Sequence, residues 1–223
     1  HHGAFMLAHW FGFLNRVPQK RKGLIDEWPD PICEIEATDA YKFFMDVGPL
    51  KNVNERYFKG KSIFWNQVTR HPNYDKFWQK RNILPHLKNI KAAVMVVGGW
   101  YDREDLFGPL HTYETIEKLN PDTFNILIMG PWFHGGWLGS KGSELGDTDF
   151  GFATSQYFRN NVDLHFFKHF LKDEETELNL PEALIFETGA NRWRRFDQWP
   201  PPSAEKTCFY FHKGGTLSSE KSA

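Results

Sequence analysis

Cysteine is nearly absent. Cys33 and Cys208 are the only two in 223 residues. Two distant cysteines make neither a disulfide framework nor a metal-ligand spacing, so both are expected as buried thiols and no metal site is expected. An excess of one charge is also missing. Charged residues make up 25% of the chain and the formal net charge is -1, which excludes the clustered basic surplus of a nucleic-acid binder. The single basic cluster, Gln19-Lys20-Arg21-Lys22, reads as a solvated loop. No apolar run approaches the ~20 residues that span a bilayer, so no membrane partner is expected. No signal-peptide pattern opens the sequence. His1-His2-Gly3-Ala4-Phe5 reads as mid-domain sequence, with a tag remnant at His1-His2 the weaker reading. Internal repeats and low-complexity stretches do not occur.

Aromatic residues, by contrast, are plentiful: nine Trp and twenty-one Phe help bring the aromatic share to 17%, enough for bulky cores or an aromatic-lined pocket. Residues 1–85 are aromatic, polar and broken by Pro and Gly, without strand alternation, and read as helical. Thr38 is the expected cap of a helix carrying Tyr41, Phe44 and Met45 and ended at Gly48. Ser62 is the expected cap of another, through Phe64, Trp65 and Val68. The character changes near residue 86. Ala92-Ala93-Val94-Met95-Val96-Val97 is a short apolar run bounded by Gly98-Gly99, the pattern of a parallel strand buried on both faces. A helix follows through Leu106, Leu110, Tyr113, Ile116 and Leu119, stopped by Asn120-Pro121. Asn125-Ile126-Leu127-Ile128-Met129-Gly130 is a second such strand. Strand, helix and strand with short links make a βαβ unit. From Thr154 or Ser155 as cap, Phe158, Val162, Phe166 and Phe170 recur every four residues along an amphipathic helix. It ends at the charged boundary Lys172-Asp173-Glu174-Glu175-Thr176-Glu177. The strand-like runs Ala183-Leu184-Ile185-Phe186-Glu187-Thr188 and Thr207-Cys208-Phe209-Tyr210-Phe211-His212 follow. Trp199-Pro200-Pro201-Pro202 lies between them, and Gly214-Gly215 suggests a hairpin. These runs read as the start of a separate β domain at residue 179, with residues 86–178 as the preceding α/β part.

Two residues stand where this pattern puts chemistry. Asp102 follows the first buried strand and His134 follows the second, one helix and one strand apart. Both are therefore expected at the carboxyl edges of adjacent strands, where α/β sites form. Imidazole titrates near neutrality and suits a general base. A carboxylate on its Nδ1 holds the productive tautomer. The plainer alternatives are Asp102 as cap of the next helix and His134 as a histidine bonded within a turn. Gly135-Gly136 would let backbone approach a substrate. Glu104 and Asp105 complete an Asp-x-Glu-Asp cluster. They either favour a helix dipole or form an acidic patch for a substrate ammonium. Trp100, Trp132 and Trp137 flank the pair and suit either an acyl pocket or core packing. His165 and His169 have metal-capable spacing but no third ligand. His71 and His86 adjoin prolines and read as loop residues. No G-x-S-x-G nucleophile elbow occurs, although nucleophile, acid, histidine is the chain order of α/β-hydrolases.

Gly98-Gly99-Trp100-Tyr101-Asp102-Arg103-Glu104-Asp105-Leu106, with Met129-Gly130-Pro131-Trp132-Phe133-His134-Gly135-Gly136-Trp137, resembles the α-amino-acid ester hydrolases. These belong to the cocaine esterase and X-Pro dipeptidyl-peptidase class, also labelled glutaryl-7-aminocephalosporanic acid acylase. His1-His2-Gly3-Ala4-Phe5, Phe150-Gly151 and Glu187-Thr188-Gly189-Ala190-Asn191-Arg192-Trp193 add to the likeness. The resemblance implies an α/β-hydrolase fold with a helical cap insertion (residues 1–85 holding the end of an α/β-hydrolase segment and the cap), followed by the start of a β jelly-roll domain (residues 179–223). It implies acyl transfer by a serine nucleophile, with Asp102 as triad acid and His134 as base. Glu104 and Asp105 would be two of three carboxylates that clamp an α-ammonium. The serine, the tyrosine of the oxyanion hole and the third carboxylate fall before His1 in such proteins, so this segment alone is expected to be inactive. A small-molecule ester or amide with a free α-amino group is the implied substrate, β-lactam acyl transfer included, and no cofactor is implied. A homo-oligomer and a bacterial periplasmic or secreted location are further expectations. An X-Pro dipeptidyl-peptidase, a general carboxylesterase, or an inactive remnant bearing a binding β module are the competing readings.

Overall fold

The computed structural model describes residues 5–17, 19, 21, 23–172 and 177–221. His1-His2, Lys20 and Lys22 of the basic run, and residues 173–176 of the charged boundary lie outside the described residues. The chain divides into two compact units, His1–Asn82 and Ile83–Ala223.

The first unit is helical. It contains α1 (Leu7–Leu14), α2 (Ala40–Val47), a π-helical stretch (Val53–Phe58), α3 (Ile63–Arg70) and α4 (Lys76–Gln79). Phe11, Leu14, Val47, Val53, Phe58 and Trp65 form its buried core. The cap of α2 is Asp39, not Thr38. The Asp39 carboxylate accepts the Lys42 amide N–H, which a residue one place earlier cannot reach. The helix turns Val47 and, in part, Phe43 and Phe44 to the core, leaving Tyr41 and Met45 exposed. Ser62 does precede α3, but its buried hydroxyl donates to the Leu14 carbonyl at 3.0 Å and not to the helix. His71 is no loose loop residue. Its Nδ1 lies 2.6 Å from the Asp75 carboxylate, and its carbonyl accepts from the Trp78 indole. Cys33 is partly buried, which raises its thiol pKa, whereas Cys208 is exposed, contrary to the expectation of two buried thiols.

The second unit is built on a four-stranded sheet of order β1-β2-β5-β6, comprising β1 (Val94–Gly99), β2 (Asn125–Gly130), β5 (Ala183–Glu187) and β6 (Arg192–Phe196). The first three strands are parallel and β6 is antiparallel at the edge. Every residue of β2 is buried. Its Leu127 and Met129 pack with Val96, Ile185 and Tyr113 on one face, and Tyr113 comes from α5 (Phe107–Leu119). Its Ile126 and Ile128 pack with Leu184, Phe158, Val162 and Phe166 on the other. Cover on both faces is why this strand reads as a continuous apolar run and not as an alternation.

The second cover runs through α7 (Thr154–Phe158), a π-helical stretch (Arg159–Asp163) and α8 (Leu164–Lys172). A strict four-residue repeat drifts around an ideal α-helix of 3.6 residues per turn. The wider i→i+5 turns over 159–163 absorb that drift and help keep Phe158, Val162 and Phe166 on the buried side. Phe167 and Leu171 are exposed. The run at 183–187 corrects the expected boundary at residue 179. It pairs in parallel with β2 (Leu127 with Ala183, Ile128 with Leu184) and so extends the α/β sheet. Burial on both faces gives it the same apolar signature that a β-domain strand would have. Downstream, β7 (Tyr210–His212) and β8 (Thr216–Ser218) form a separate hairpin, as Gly214-Gly215 suggests. Between β2 and β5 lie a short helix, α6 (Gly136–Gly139), and the small hairpin of β3 (Glu144–Leu145) with β4 (Thr148–Asp149).

Candidate active site

Asp102 and His134 leave the carboxyl ends of the adjacent strands β1 and β2. The ladder between those strands ends with Gly99 opposite Gly130. Two further bonds join the emerging loops: Trp100 N–H to the Gly130 carbonyl at 2.8 Å and Tyr101 N–H to the Trp132 carbonyl at 3.1 Å. A side chain at Gly99 would collide with the Trp132 carbonyl, so the glycine permits this close crossing.

The His134 Nδ1 lies 2.8 Å from Asp102 Oδ2. The other carboxylate oxygen, Oδ1, accepts the amide N–H groups of Glu104 at 2.8 Å and Asp105 at 3.0 Å. The Asp102 side chain is only 3% exposed. A buried carboxylate with three donors offsets its desolvation through them. Burial pushes its pKa up. The Asp105 amide, the His134 ring and the Glu104 amide together outweigh that, and the net shift is downward. His134 moves the other way. The hydrogen bond it donates to Asp102 raises it, burial opposes, and the charges of Asp102, Glu104 and Asp105 raise it further. With Nδ1–H donated to Asp102, the neutral ring carries its lone pair on Nε2. That ring is half exposed, at 54%, so Nε2 can meet a proton donor from outside the loop. This is the arrangement of a general base oriented by a carboxylate.

The neighbouring acids divide their work. The Glu104 carboxylate lies 3.8 Å from Nε2. Asp105 instead accepts the Gly108 amide N–H at 2.7 Å, which caps the first turn of α5. Asp102 is thus not the cap of that helix. Its Oδ1 closes the turn before it, while its Oδ2 serves the histidine. Gly135 has φ +73° and open space around it, so its glycine serves the turn that starts α6. The adjacent Gly136 has the Phe133 ring and Trp132 against it and serves packing there.

The tryptophans take mostly structural places. Trp132 is buried and donates to Thr154 Oγ1 at 2.9 Å. Trp137 packs against the same core. Trp100 donates to the Phe186 carbonyl at 2.9 Å and also borders an open cavity of about 260 Å³ with Glu187, Arg194, Phe196 and Trp199. His165 and His169 lie on α8, and no cluster of three metal-capable side chains occurs among the described residues. His86 sits in a 3₁₀ turn, Leu84–His86. No helix among the described residues is long and apolar enough to cross a membrane.

Sequence reasoning missed what holds the histidine loop. Thr154 and Ser155, expected as helix caps, are buried and bond to Gly142 and Gly136 of that loop, joined by Arg159. The available signal was polar side chains at the start of an otherwise apolar helical face.

Comparison with known proteins finds the chain similar to hydrolases in sequence and fold. Residues 34–136 match the X-Pro dipeptidyl-peptidase (S15 family) model. Cocaine esterase from Rhodococcus sp. (strain MB1 Bresler) is 29% identical over 171 residues, covering 74% of this chain and 28% of the esterase. The crystal structure of an aminopeptidase from the marine sediment archaeon Thaumarchaeota archaeon matches 99% of this chain and 35% of its own, at TM-score 0.82 and 30% identity. An α-amino acid ester hydrolase structure matches 99% of this chain and 36% of its own, at TM-score 0.84 and 28% identity. The chain therefore spans about a third of the length of these solved relatives. Its mixed α/β fold is theirs over that span, and in both sequence and fold it is similar to serine hydrolases of the esterase and S15 peptidase kind.

Proposed function

We propose that this segment carries the acid and the base of a serine hydrolase acting on esters or amides of α-amino acids. Asp102 is the triad acid and His134 the base, and the serine comes from a part of the polypeptide preceding this segment. The observation that carries the reading is the Asp102–His134 hydrogen bond at the carboxyl ends of two adjacent parallel strands. In the reaction, Nε2 takes the serine proton as the hydroxyl attacks the acyl carbonyl. The imidazolium, stabilised by Asp102, then protonates the departing alcohol or amine. Water, or the amine of a β-lactam nucleus, resolves the acyl-enzyme by the reverse sequence. On the same reading residues 1–85 hold the end of an α/β-hydrolase segment and a helical cap, and the hairpin of β7 and β8 opens a jelly-roll domain.

Glu104 and Asp105 favour donors with a free α-ammonium and disfavour glutaryl donors, whose carboxylate meets like charge. An aminopeptidase or an X-Pro dipeptidyl-peptidase also needs an ammonium site, and the likeness to the archaeal aminopeptidase supports that second reading. The test uses the full-length polypeptide. A fluorophosphonate probe followed by peptide mass spectrometry is expected to label a serine outside the 223 residues. Faster turnover of a phenylglycine ester than of an X-Pro anilide is then expected. Changing Glu104 and Asp105 together to alanine is expected to remove the preference for α-amino over acetyl esters. Absence of any label, with ligand binding but no turnover, would establish the binding-only remnant in place of the hydrolase.

A further inference from the structure

The loop after β2 runs from Pro131 to Gly142 and contains His134. Its own bonds are few. Gly136 N–H returns to the Phe133 carbonyl and Leu138 N–H to the Gly135 carbonyl, and Ser140 Oγ donates to the Gly136 carbonyl at 2.7 Å. Five of its carbonyls, from Gly136 to Gly142, are bonded from one side by the helical run that begins at Thr154. Arg159 Nη1 donates to the Trp137 carbonyl at 2.8 Å and to the Ser140 carbonyl at 2.9 Å. Ser155 Oγ donates to the Gly136 carbonyl at 3.2 Å. Thr154 Oγ1 donates to the Gly142 carbonyl at 2.6 Å and accepts the Trp132 indole N–H. The orphan amide groups of the helix start complete the arrangement, with Thr154 N–H bonded to Gly142 and the N–H groups of Ser155 and Gln156 bonded to Lys141. Helix α7 has no side-chain cap of its own. The loop carbonyls satisfy its first N–H groups, and in return the helix holds the loop.

We infer that Arg159, assisted by Thr154 and Ser155, is a positioning residue for His134. It clamps the carboxyl end of α6, two turns of chain after the histidine, so that the ring meets Asp102 at hydrogen-bonding distance. This inference rests on the proposed role of His134 as base. Arg159 is well suited to the task. Its cation faces carbonyls at a helix C-terminus, where positive charge is favourable. It sits at the first residue of the π-helical stretch, where the change in pitch re-aims one side chain relative to the apolar face. Phe133 and Leu138 of the loop are exposed, while Trp132 and Trp137 pack on the core. Without the Arg159 bonds the loop keeps its ties before the histidine, at Trp132, and its core packing at Trp137, but loses both bonds at the carboxyl end of α6.

The test compares three variants of the full-length enzyme. Arg159→Gln is expected to lower kcat about 10- to 100-fold, the scale of a small misplacement of a catalytic group, with KM changed less than about threefold. The loss is expected to be equal for α-amino and acetyl esters, because the acidic pair is not involved. The acid limb of the rate profile, set by His134 among Asp102, Glu104 and Asp105, should move toward the ordinary imidazole range. The downfield imidazole N–H proton resonance should broaden. Arg159→Lys is expected to restore kcat to within a few-fold, since both bonds come from a single nitrogen and need no planar fork. Val162→Ala, a core truncation in the same helical run, is expected to lower Tm with kcat and the pH limb unchanged. If Arg159→Gln does not fold, Ser155→Ala is the milder probe, with a few-fold loss of kcat expected. Wild-type kcat and an unmoved acid limb in Arg159→Gln, or in Ser155→Ala where that stands in, would overturn the inference. So would equal kcat losses in Val162→Ala and Arg159→Gln at equal loss of Tm. Full activity in His134→Ala would instead overturn the reading of the site itself.

Discussion

The loop that carries Asp102 and the loop that carries His134 are held by opposite means. The acid loop is closed on itself. Asp102 N–H bonds back to Gly99, the Asp102 carboxylate takes the amides of Glu104 and Asp105, and Asp105 takes that of Gly108. The histidine loop depends on side chains far along the chain, at Thr154, Ser155 and Arg159. A loop closed by its own short carboxylates is rigid wherever its sequence is placed, because side chain and backbone share one turn. A loop held from outside is only as fixed as the element that holds it. The pair joins the two, so the acid serves as the fixed member and the histidine as the one that needs support.

The sharpest break of this comparison is at the acid. Asp102→Asn keeps size and can keep both amide contacts at Oδ1, but it presents the wrong partner to Nδ1. Turnover by the full-length protein is expected to fall about 10⁴-fold, the scale of losing the correct imidazole tautomer, with little change in KM. Steady-state kinetics on a simple ester check it. A loss below about tenfold would mean that the histidine does not depend on the carboxylate.

The second break is at the far end of the histidine loop. Gly142 has φ +70°, and a side chain there would run into Thr154 Oγ1 and the Ser155 backbone and hydroxyl. Gly142→Ala combines left-handed strain with a clash inside a buried polar cluster. A loss of roughly 2–4 kcal/mol is expected, read as the midpoint of denaturant unfolding. Gly139→Ala lies in the same loop with nothing close to its added carbon. It is expected to be nearly neutral, and equal losses in the two would count against the anchoring of this loop at Gly142.

These two loops also explain how much was legible from sequence. Asp102, His134 and the two strands before them could be read because each is a local signal: an apolar run, a glycine stop and a polar residue in the next turn. The acid cluster was legible as a cluster, but not in its division of labour, since Asp105 as cap and Glu104 facing Nε2 follow from where α5 begins. Arg159 was illegible because its bonds span the whole β3–β4 hairpin, and an arginine on an amphipathic helix ordinarily reads as solvated. The strand at 183–187 was visible as a strand. Its sheet was not, because full burial gives one apolar pattern in a parallel sheet and in a sandwich core.

The pair also has a pH signature whose two halves carry opposite signs. His134 has a raised folded pKa, so its contribution to stability is full below about 6.5 and is lost as pH rises through the raised value. Asp102 has a lowered folded pKa. Its contribution is present above about 3.9 and is lost as pH falls through the folded value. The difference in Tm between the natural chain and His134→Gln is therefore expected to be largest near pH 5 to 6 and to shrink above neutrality. On the proposed mechanism turnover runs the other way, since a base at Nε2 must be unprotonated, and its acid limb is expected above the ordinary imidazole range. A Tm difference that grows with pH would contradict the assigned bond between the two groups.

The smallest expected effect separates structure from selectivity within the acid loop itself. Asparagine caps a helix about as well as aspartate, so Asp105→Asn is expected to leave Tm within about 1 °C, whereas Asp105→Ala loses the bond to Gly108 and about 1 kcal/mol, roughly 2–4 °C in a chain of this size. Both variants remove the charge. If Asp105 helps to bind a substrate ammonium, the two lose the preference for α-amino over acetyl esters to the same extent, although only one of them is destabilised. If Asp105 is a cap and nothing more, Asp105→Asn keeps the full preference, and the ammonium site is left to Glu104, whose carboxylate already lies beside Nε2.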